Sequence, residues 1–196
     1  MTLKTYSQNC GLAGALDVLG DRWTLLIIRS LLAGPARFSE IMAQLPGIGT
    51  NLLAARLKSL GNWGVIEKRE GRQSSYELTE QGEALRPILH QLARWGRPFI
   101  SDNGVSSQPN WLMFNIEASF RPERAENIDT VVGFDLGGNV FHIIIRRQTC
   151  RAVAGTAIAP DVSIRSDSDS LQGEGARMQI MGDSGVFDRV RPCFDL

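Results

Sequence analysis

Residues 38–78 read FSEIMAQLPGIGTNLLAARLKSLGNWGVIEKREGRQSSYEL, and this stretch decides the fold of the first half of the chain. The turn-forming segment 45–49 separates a short helix from a second helix predicted over residues 50–60. Residues 65–69 and 75–78 are predicted to pair as a hairpin around a glycine-containing turn. Two helices that meet at a sharp angle, followed by a basic hairpin or wing, form the layout that places a helix in the major groove of double-stranded DNA.

The second helix has two contrasting faces. Leu53, Leu57 and Leu60 recur at i, i+4 and i+7, so they share one face and are predicted to pack inward. The opposite face has short or polar side chains and one cation, which lets the helix backbone lie close to base edges. That face comprises Asn51, Ala54, Ala55 and Lys58. An asparagine suits adenine in the major groove, and a lysine suits guanine or a phosphate. The alternative is an ordinary amphipathic helix with a solvated face.

Residues around this face have expectations of their own. Thr50 is predicted to cap the helix, which would turn the positive end of the helix dipole towards phosphates. Arg56 lies beside the apolar face, so we expect a structural salt bridge there rather than a base contact. Lys68, Arg69 and Arg72 of the hairpin can reach a minor groove or backbone phosphates, or form a solvated turn. The predicted DNA-binding residues are Thr50, Asn51, Ala55, Lys58, Lys68, Arg69 and Arg72.

The charge of the chain is distributed unevenly. The 196 residues include 21 Lys and Arg against 21 Asp and Glu, a net charge of zero. Residues 1–100 have 12 basic and 8 acidic side chains, whereas residues 101–196 have 9 and 13. A basic half joined to an acidic half is typical of a DNA-facing domain followed by a domain with another task.

Several classes of protein lack their signatures in this sequence. No apolar run of about 18 residues predicts a membrane span. The N-terminus has no apolar signal core, so residence in the cytoplasm is expected. Cys10, Cys150 and Cys193 are too widely spaced for a zinc site or a disulfide framework, and His90 and His142 are isolated. No phosphate-binding loop or nucleophile elbow occurs. We therefore expect no metal, no cofactor, no catalytic residue and no enzymatic activity.

Further helices are predicted on both sides of the motif. A first helix ends at Gly20, and Asp21 is predicted to cap a buried helix over residues 22–33. A helix over residues 80–99, kinked at Pro87, has apolar side chains spaced by three and four, like a packing seam. This seam can be buried on its own domain or on a second subunit. We expect a homodimer through this helix and the first helix, because a symmetric reader of two half-sites needs two copies. The seam comprises Leu85, Ile88, Leu92, Trp95 and Phe99, and Leu12, Leu16 and Leu19 can join it.

Ordered blocks of sequence from about residue 10 to residue 100 match a known pattern. They are CGL at 10–12, ALDVLGDRWTLLI at 15–27, GPARFSEI at 34–41, LPGI at 45–48, NLL at 51–53, RL at 56–57, YELT at 76–79 and Gly82. These blocks resemble the HxlR-type winged-helix regulators, which implies a dimeric bacterial transcription factor that uses the second motif helix and the wing on DNA. In some members the N-terminal cysteine, here Cys10, senses electrophiles or oxidants. A cysteine near a helix N-terminus can have a lowered pKa and react as thiolate. The alternative is a small apolar residue packed at the dimer interface.

The second half of the chain is predicted to be a small α+β domain. Residues 101–109 have linker composition and separate domain 1–100 from domain 109–196. A helix is predicted over residues 111–120 and a short helix near residues 184–193. Strands are predicted over residues 131–136, 140–146, 150–154 and 162–164, the first two joined by a Gly-Gly-Asn turn. The expected fold class is therefore α+β: a winged helix-turn-helix domain followed by a domain with an antiparallel sheet.

The order of these elements in residues 109–196 resembles that of sterol-carrier-protein-2-like domains. The resemblance implies an apolar cavity between sheet and helices that can hold a small apolar ligand. The candidate lining residues are Trp111, Phe114, Phe134, Phe141, Ile143 and Ile145. The alternative is that these side chains fill a solid core. Between Leu171 and Met178 the chain is shorter than that pattern, which would leave the cavity open, collapsed or completed by a partner subunit.

These observations predict a homodimeric DNA-binding transcriptional regulator. Its recognition helix would lie in the major groove and its wing on the backbone or minor groove, with control by a small apolar effector in the C-terminal domain. A second hypothesis is a lipid-binding or carrier protein that uses the winged helix only for dimerisation. A third, an enzyme acting on an apolar substrate, has no catalytic constellation behind it.

Overall fold

The chain divides into two units. The structure is a computed structural model, and it describes residues 5–71, 73–100, 108–166 and 178–195. Spatial contacts separate Met1–Leu89 from His90–Leu196, a division that falls inside a helix. The assignment of domains 1–100 and 109–196 from composition stays a prediction, because residues 101–107 lie outside the described residues. Throughout the described ranges, every helix is too short or too polar to span a bilayer.

The N-terminal unit combines helices with a two-stranded wing. Its elements are α1 (Gly11–Leu19), α2 (Thr24–Leu32), α3 (Phe38–Ala43), α4 (Thr50–Asn62), β1 (Ile66–Arg69), β2 (Ser75–Leu78), α5 (Glu80–Glu83) and the start of α6 (Arg86–Gly96). The core is built on α2, where Ile27 and Ile28 are fully buried. Leu53, Leu57 and Leu60 of α4 are buried as well, so the predicted inward face is confirmed. β1 and β2 pair antiparallel, which confirms the predicted hairpin.

The start of α2 differs from the prediction. The helix begins at Thr24, and its N-cap is Trp23 in the left-handed conformation, with φ 80°. The prediction that Asp21 caps this helix is wrong. The Asp21 carboxylate instead forms an ion pair with Arg56 of α4, with Oδ2 and Nη1 2.6 Å apart. A tertiary charge contact has therefore replaced the local capping contact.

The start of α4 also differs from the prediction. Gly49 is the N-cap, so Thr50 is the first helical residue and the prediction of Thr50 as the cap is wrong. The Thr50 hydroxyl lies 3.9 Å from the sulfur of Met42 on α3. A glycine cap offers no side-chain acceptor, so the first amides of α4 donate no hydrogen bond to a cap side chain.

The predicted helix over residues 80–99 is divided into separate helices. Thr79 caps α5 by accepting a hydrogen bond from the amide of Gly82 at 3.2 Å. The chain leaves the helix after α5 and begins again with α6, followed by a 3-10 turn over Arg97–Phe99. Pro87 lies in the first turn of α6, where a missing amide hydrogen costs no helical hydrogen bond. The predicted kink at Pro87 is thus a complete break just before it.

The C-terminal unit is built on a five-stranded sheet of order β5-β4-β3-β6-β7. Its elements are α7 (Pro109–Ser119), β3 (Thr130–Leu136), β4 (Asn139–Arg146), β5 (Thr149–Ala154), β6 (Val162–Ser166), β7 (Met178–Gly182), α8 (Ser184–Val190) and a 3-10 turn over Arg191–Cys193. Gly137 and Gly138 both have positive φ, 57° and 84°, and join β3 to β4 by the predicted hairpin turn. Alternate residues of β3 and β4 form the core with α7 and α8.

The α+β fold class is confirmed, and the sheet contains one pair that is not antiparallel. The pairs β3–β4, β4–β5 and β6–β7 are antiparallel, whereas β3 and β6 are parallel. β5 lies at one edge of the sheet. The chain then crosses past β4 and β3 and forms β6 on the other side of β3, and this crossover makes β6 parallel to β3. The edge strand β7 was not predicted, because all five of its residues are exposed and show no alternation.

Candidate nucleic-acid interface and C-terminal cavity

The outward face of α4 is accessible in the N-terminal unit. Asn51, Ala54, Ala55 and Lys58 are all exposed, and so is Thr50 at the start of the helix. The ion pair between Arg56 and Asp21 holds the flank of α4, which confirms the structural role predicted for Arg56. The buried leucines and this ion pair fix the helix from behind and from one side. The four-residue face therefore projects away from its own unit.

The two described cations of the wing have acidic partners. Lys68 Nζ lies 2.6 Å from Glu70 Oε1, an ion pair that raises the pKa of Lys68 and lowers that of Glu70. The guanidinium of Arg69 binds the carboxylate of Glu77, which is nearly buried. Both cations remain partly exposed, but their charge is offset within the wing. Arg72, the third predicted wing residue, lies outside the described residues.

A residue not among the predicted contacts lies between α3 and the wing. Arg37 donates to Glu40, which raises the pKa of Arg37, and also to the side-chain oxygen of Gln73. Next to it, Ala36 and Tyr76 exchange backbone hydrogen bonds of 2.9 and 2.8 Å, which adds a one-residue bridge to the wing. Glu40 follows Arg37 by three residues, and this spacing is the feature of the sequence that indicates their ion pair. These bonds attach the wing to the helical part of the unit.

Cys10 lies at the N-cap of α1 and is exposed. The backbone amides of Ala13 and Leu12, in the first turn of α1, lower the pKa of the thiol below its ordinary value. The other two cysteines differ: burial raises the pKa of Cys150 far above its ordinary range, and burial also raises the pKa of Cys193. The three thiols therefore differ: Cys10 is exposed and has a lowered pKa, whereas Cys150 and Cys193 have raised pKa values.

A cavity of about 840 Å³ lies in the C-terminal unit, against the sheet and the α8 region. Its lining is mainly apolar and comes from α7, β3, β4, β6, β7 and α8, with the charged side chains of Arg124, Asp188 and Arg191. Of the six predicted lining residues, Phe134 and Ile143 line it.

The other four predicted lining residues are placed elsewhere, which corrects the prediction for them. Phe141 and Ile145 are completely buried in the core, where Phe141 stacks on Phe134 with ring centroids 4.9 Å apart. Phe114 packs against the ring of His90 at 5.2 Å, and Trp111 is half-buried near the start of α7. Alternation along the strand identifies the apolar side of β4 but cannot tell which part of that side a cavity reaches.

One buried polar pair fixes α6 within the C-terminal unit. The imidazole Nε2 of His90 lies 3.2 Å from Glu117 Oε2 of α7, and both side chains are buried. The other oxygen of Glu117 accepts a hydrogen bond of 2.7 Å from the amide of Ala152 in β5. A polar contact thus turns one face of α6 inward.

The N-terminal half has clear relatives. A family model described as HxlR-like helix-turn-helix matches residues 18–103. The uncharacterized HTH-type transcriptional regulator YvaP of Bacillus subtilis (strain 168) is 40% identical over 90 residues, which cover 44% of this chain and 83% of YvaP. The chain belongs to the HxlR-like helix-turn-helix family. It is a transcriptional regulator of this type, as the resemblance in residues 10–100 implied.

A second relative of this HxlR-like chain is YodB. The HTH-type transcriptional regulator YodB of Bacillus subtilis (strain 168) is 37% identical over 89 residues, covering 43% of this chain and 80% of YodB. A solved structure of quinone-bound YodB from B. subtilis shares 38% identity and covers 45% of this chain and 97% of that chain, with a TM-score of 0.41. The family match ends at residue 103, so the sheet and cavity of the C-terminal unit lie beyond it.

Proposed function

We propose that this HxlR-like regulator binds double-stranded DNA as a cytoplasmic homodimer, with α4 in the major groove and the wing on the backbone or the minor groove. The exposed face of α4 carries the proposal, because it presents Asn51, Ala55 and Lys58 on a helix whose other face is fixed in the core. Thr50 begins that helix, and Lys68, Arg69 and Arg72 of the wing complete the proposed contact surface. Phosphates would have to displace the acidic partners of Lys68 and Arg69. We therefore assign the wing a smaller share of the DNA affinity than α4.

A titration of purified protein against selected and scrambled duplexes tests this proposal. Replacing Asn51 with Ala should weaken binding by roughly 1–3 kcal/mol and change the preferred sequence, because a base contact is lost. Replacing Lys58 with Ala should weaken binding to all sequences and reduce the salt dependence by about one phosphate contact. Arg189→Ala removes a matched exposed charge from α8 and should leave the affinity unchanged. Wild-type affinity in both α4 variants would contradict the assignment.

The homodimer is supported by apolar side chains that the single chain leaves exposed. Leu12 and Leu16 of α1 are exposed, and so are Ile88, Leu92 and Trp95 of α6. Apolar faces of this kind are typical of interfaces between subunits. The alternative of a carrier protein that uses the winged helix only for dimerisation predicts the same dimer but no salt-dependent, sequence-selective DNA binding. The DNA titration therefore separates the two.

We also propose that the C-terminal unit is a sterol-carrier-protein-2-like domain that binds a small apolar effector. The support is the cavity of about 840 Å³, with Phe134 and Ile143 in its lining. This volume is within the usual range for sites of small molecules. An effector can control DNA binding only if its affinity differs between the DNA-competent and DNA-incompetent arrangements.

A second regulatory input is proposed at Cys10. The thiol is exposed, and the amides of Leu12 and Ala13 favour its thiolate form. A thiolate at the start of a helix is the form that reacts with electrophiles and oxidants. The relative YodB has been solved with a bound quinone, an electrophile of this class. We therefore assign Cys10 the role of a sensor thiol.

A further inference from the structure

The outward face of α4 is more apolar than a phosphate-binding surface requires. Leu52 is 36% exposed and stands one turn before Ala55 on the same side of the helix. Ala54 and Ala55 present exposed methyl groups between Asn51 and Lys58. Leu52 and Ala55 are three residues apart on α4, so they form an apolar strip along one edge of its outward face.

Three described arginines of the N-terminal unit are paired with carboxylates. Arg56 pairs with Asp21, Arg37 with Glu40 and Arg69 with Glu77. Recognition of guanine in the major groove most often uses a guanidinium that reaches O6 and N7 together, and a guanidinium bound to a carboxylate is poorly placed for it. Among the described residues, Lys58 is the cation on the face of α4 without an ion-pair partner. The face thus presents exposed methyl groups, and among the described residues on it Lys58 is the side chain that suits guanine.

We propose that α4 selects A·T base pairs by placing the apolar strip of Leu52 and Ala55 against thymine 5-methyl groups, with Asn51 on adenine. Thymine is the one standard base with a methyl group in the major groove, and adenine offers the N6 and N7 pair that suits an amide. Contact with apolar side chains removes that methyl group from water, which favours the complex. Lys58 contributes affinity without choosing the base.

This inference rests on the proposed DNA binding, and one experiment separates their failures. Wild-type protein is used to select duplexes from a random-sequence library, and the selected duplex is then made with deoxyuridine in place of each thymidine. Uracil pairs like thymine and lacks only the 5-methyl group. Affinity should fall roughly fourfold for each contacted methyl group. If the library yields no sequence-selective binding at all, the proposed function falls. If a selected duplex lacks A·T pairs or keeps its affinity with deoxyuridine, only the thymine inference falls.

Two variants locate the effect on the helix. In Leu52→Ala, the ratio of affinities for the thymidine and deoxyuridine duplexes should shrink towards one, because the variant lacks the side chain that contacts the methyl group. In Lys58→Ala, both affinities should fall together and the ratio should stay at its wild-type value. A ratio that is unchanged in Leu52→Ala, or that collapses equally in Lys58→Ala, would overturn the assignment of the strip. Leu52 is partly exposed, and circular dichroism of each variant verifies that α4 remains folded.

Discussion

A single glycine sets how closely α5 approaches the wing. Gly82 is buried, and a Cβ atom built on it would lie 2.2 Å from the carbonyl oxygen of Val65, just before β1. That oxygen already accepts a backbone hydrogen bond of 3.1 Å from Thr79. The contact involves backbone on both sides, so it cannot relax by a change of rotamer. At this position, the absence of a side chain is what lets α5 pack against the start of β1.

We therefore expect Gly82→Ala to lower the free energy of unfolding by about 1–3 kcal/mol, the usual cost of forcing extra atoms into a packed site. Urea denaturation followed by circular dichroism measures it. Gly61→Ala is the matched control, because its added Cβ meets nothing closer than 4.0 Å and alanine favours helix over glycine. That control should be as stable as wild type or slightly more stable. Equal stability of both variants would show that the close approach has no energetic role.

The three thiols should also react with an alkylating agent at different rates. Iodoacetamide at neutral pH should modify Cys10 first, because its lowered pKa gives more thiolate, and Cys150 and Cys193 should react only after unfolding. The rate at Cys10 should reach its plateau at a lower pH than that of an ordinary thiol. Peptide mass spectrometry over a pH series reports all three sites together. Cys10→Ser should remove the fast phase. A fast phase that persists in this variant would contradict the assignment.

α6 has an exposed face of apolar side chains that no other part of the described chain covers. Its His90 face is turned inward by Glu117, while Leu92 is 45% exposed and Trp95 is 69% exposed. The rings of Trp95 and Phe99 lie 5.1 Å apart and are both exposed. Packing within one chain more commonly buries large aromatic side chains than a histidine. The arrangement is understandable if the outward face is covered by a second copy of the chain.

Leu92→Glu should therefore shift the protein from dimer to monomer in sedimentation velocity, because a charge on this face would be buried without a partner. Gln91→Glu adds the same charge to the neighbouring exposed position of α6 and should leave the dimer intact. The DNA affinity of the monomeric variant should fall, since one subunit contacts one half-site. A dimer that survives Leu92→Glu would move the interface away from α6.

The sequence predicts those elements whose spacing reflects burial. The leucines of α4 and the alternation in β3 and β4 identify these three elements, because one face of each enters a core. β7 could not be predicted, because both of its faces are exposed and its sequence therefore shows no alternation of apolar and polar residues. The N-cap of α2 was predicted wrongly because Asp21 pairs with Arg56, a residue far away in the sequence that helix-capping preferences do not take into account. Of the site, the exposed face of α4 follows from periodicity, whereas the acidic partners of the wing and the extent of the cavity depend on tertiary structure.

The chain has a basic half and an acidic half, to which the proposed function assigns separate tasks. The excess of cations in residues 1–100 suits a surface that meets phosphates, and the acidic excess in residues 101–196 discourages contact between DNA and the C-terminal unit. That unit instead has a cavity with an apolar lining. The proposed regulator thus separates the nucleic-acid contact from the ligand contact along the chain, and a ligand must act on DNA binding through the protein.

Filling the cavity tests that separation. Val190 of α8 is buried and lines the cavity, so Val190→Phe should reduce binding of the apolar dye Nile red, measured by fluorescence titration. Val153→Phe adds the same bulk to an exposed position of β5 outside the lining and should bind the dye like wild type. Native mass spectrometry of the wild-type protein should show any retained apolar compound, which Val190→Phe should lack. DNA affinity without ligand should be equal in both variants, because α4 is untouched. Dye binding that is unchanged in Val190→Phe would place the apolar site outside this cavity.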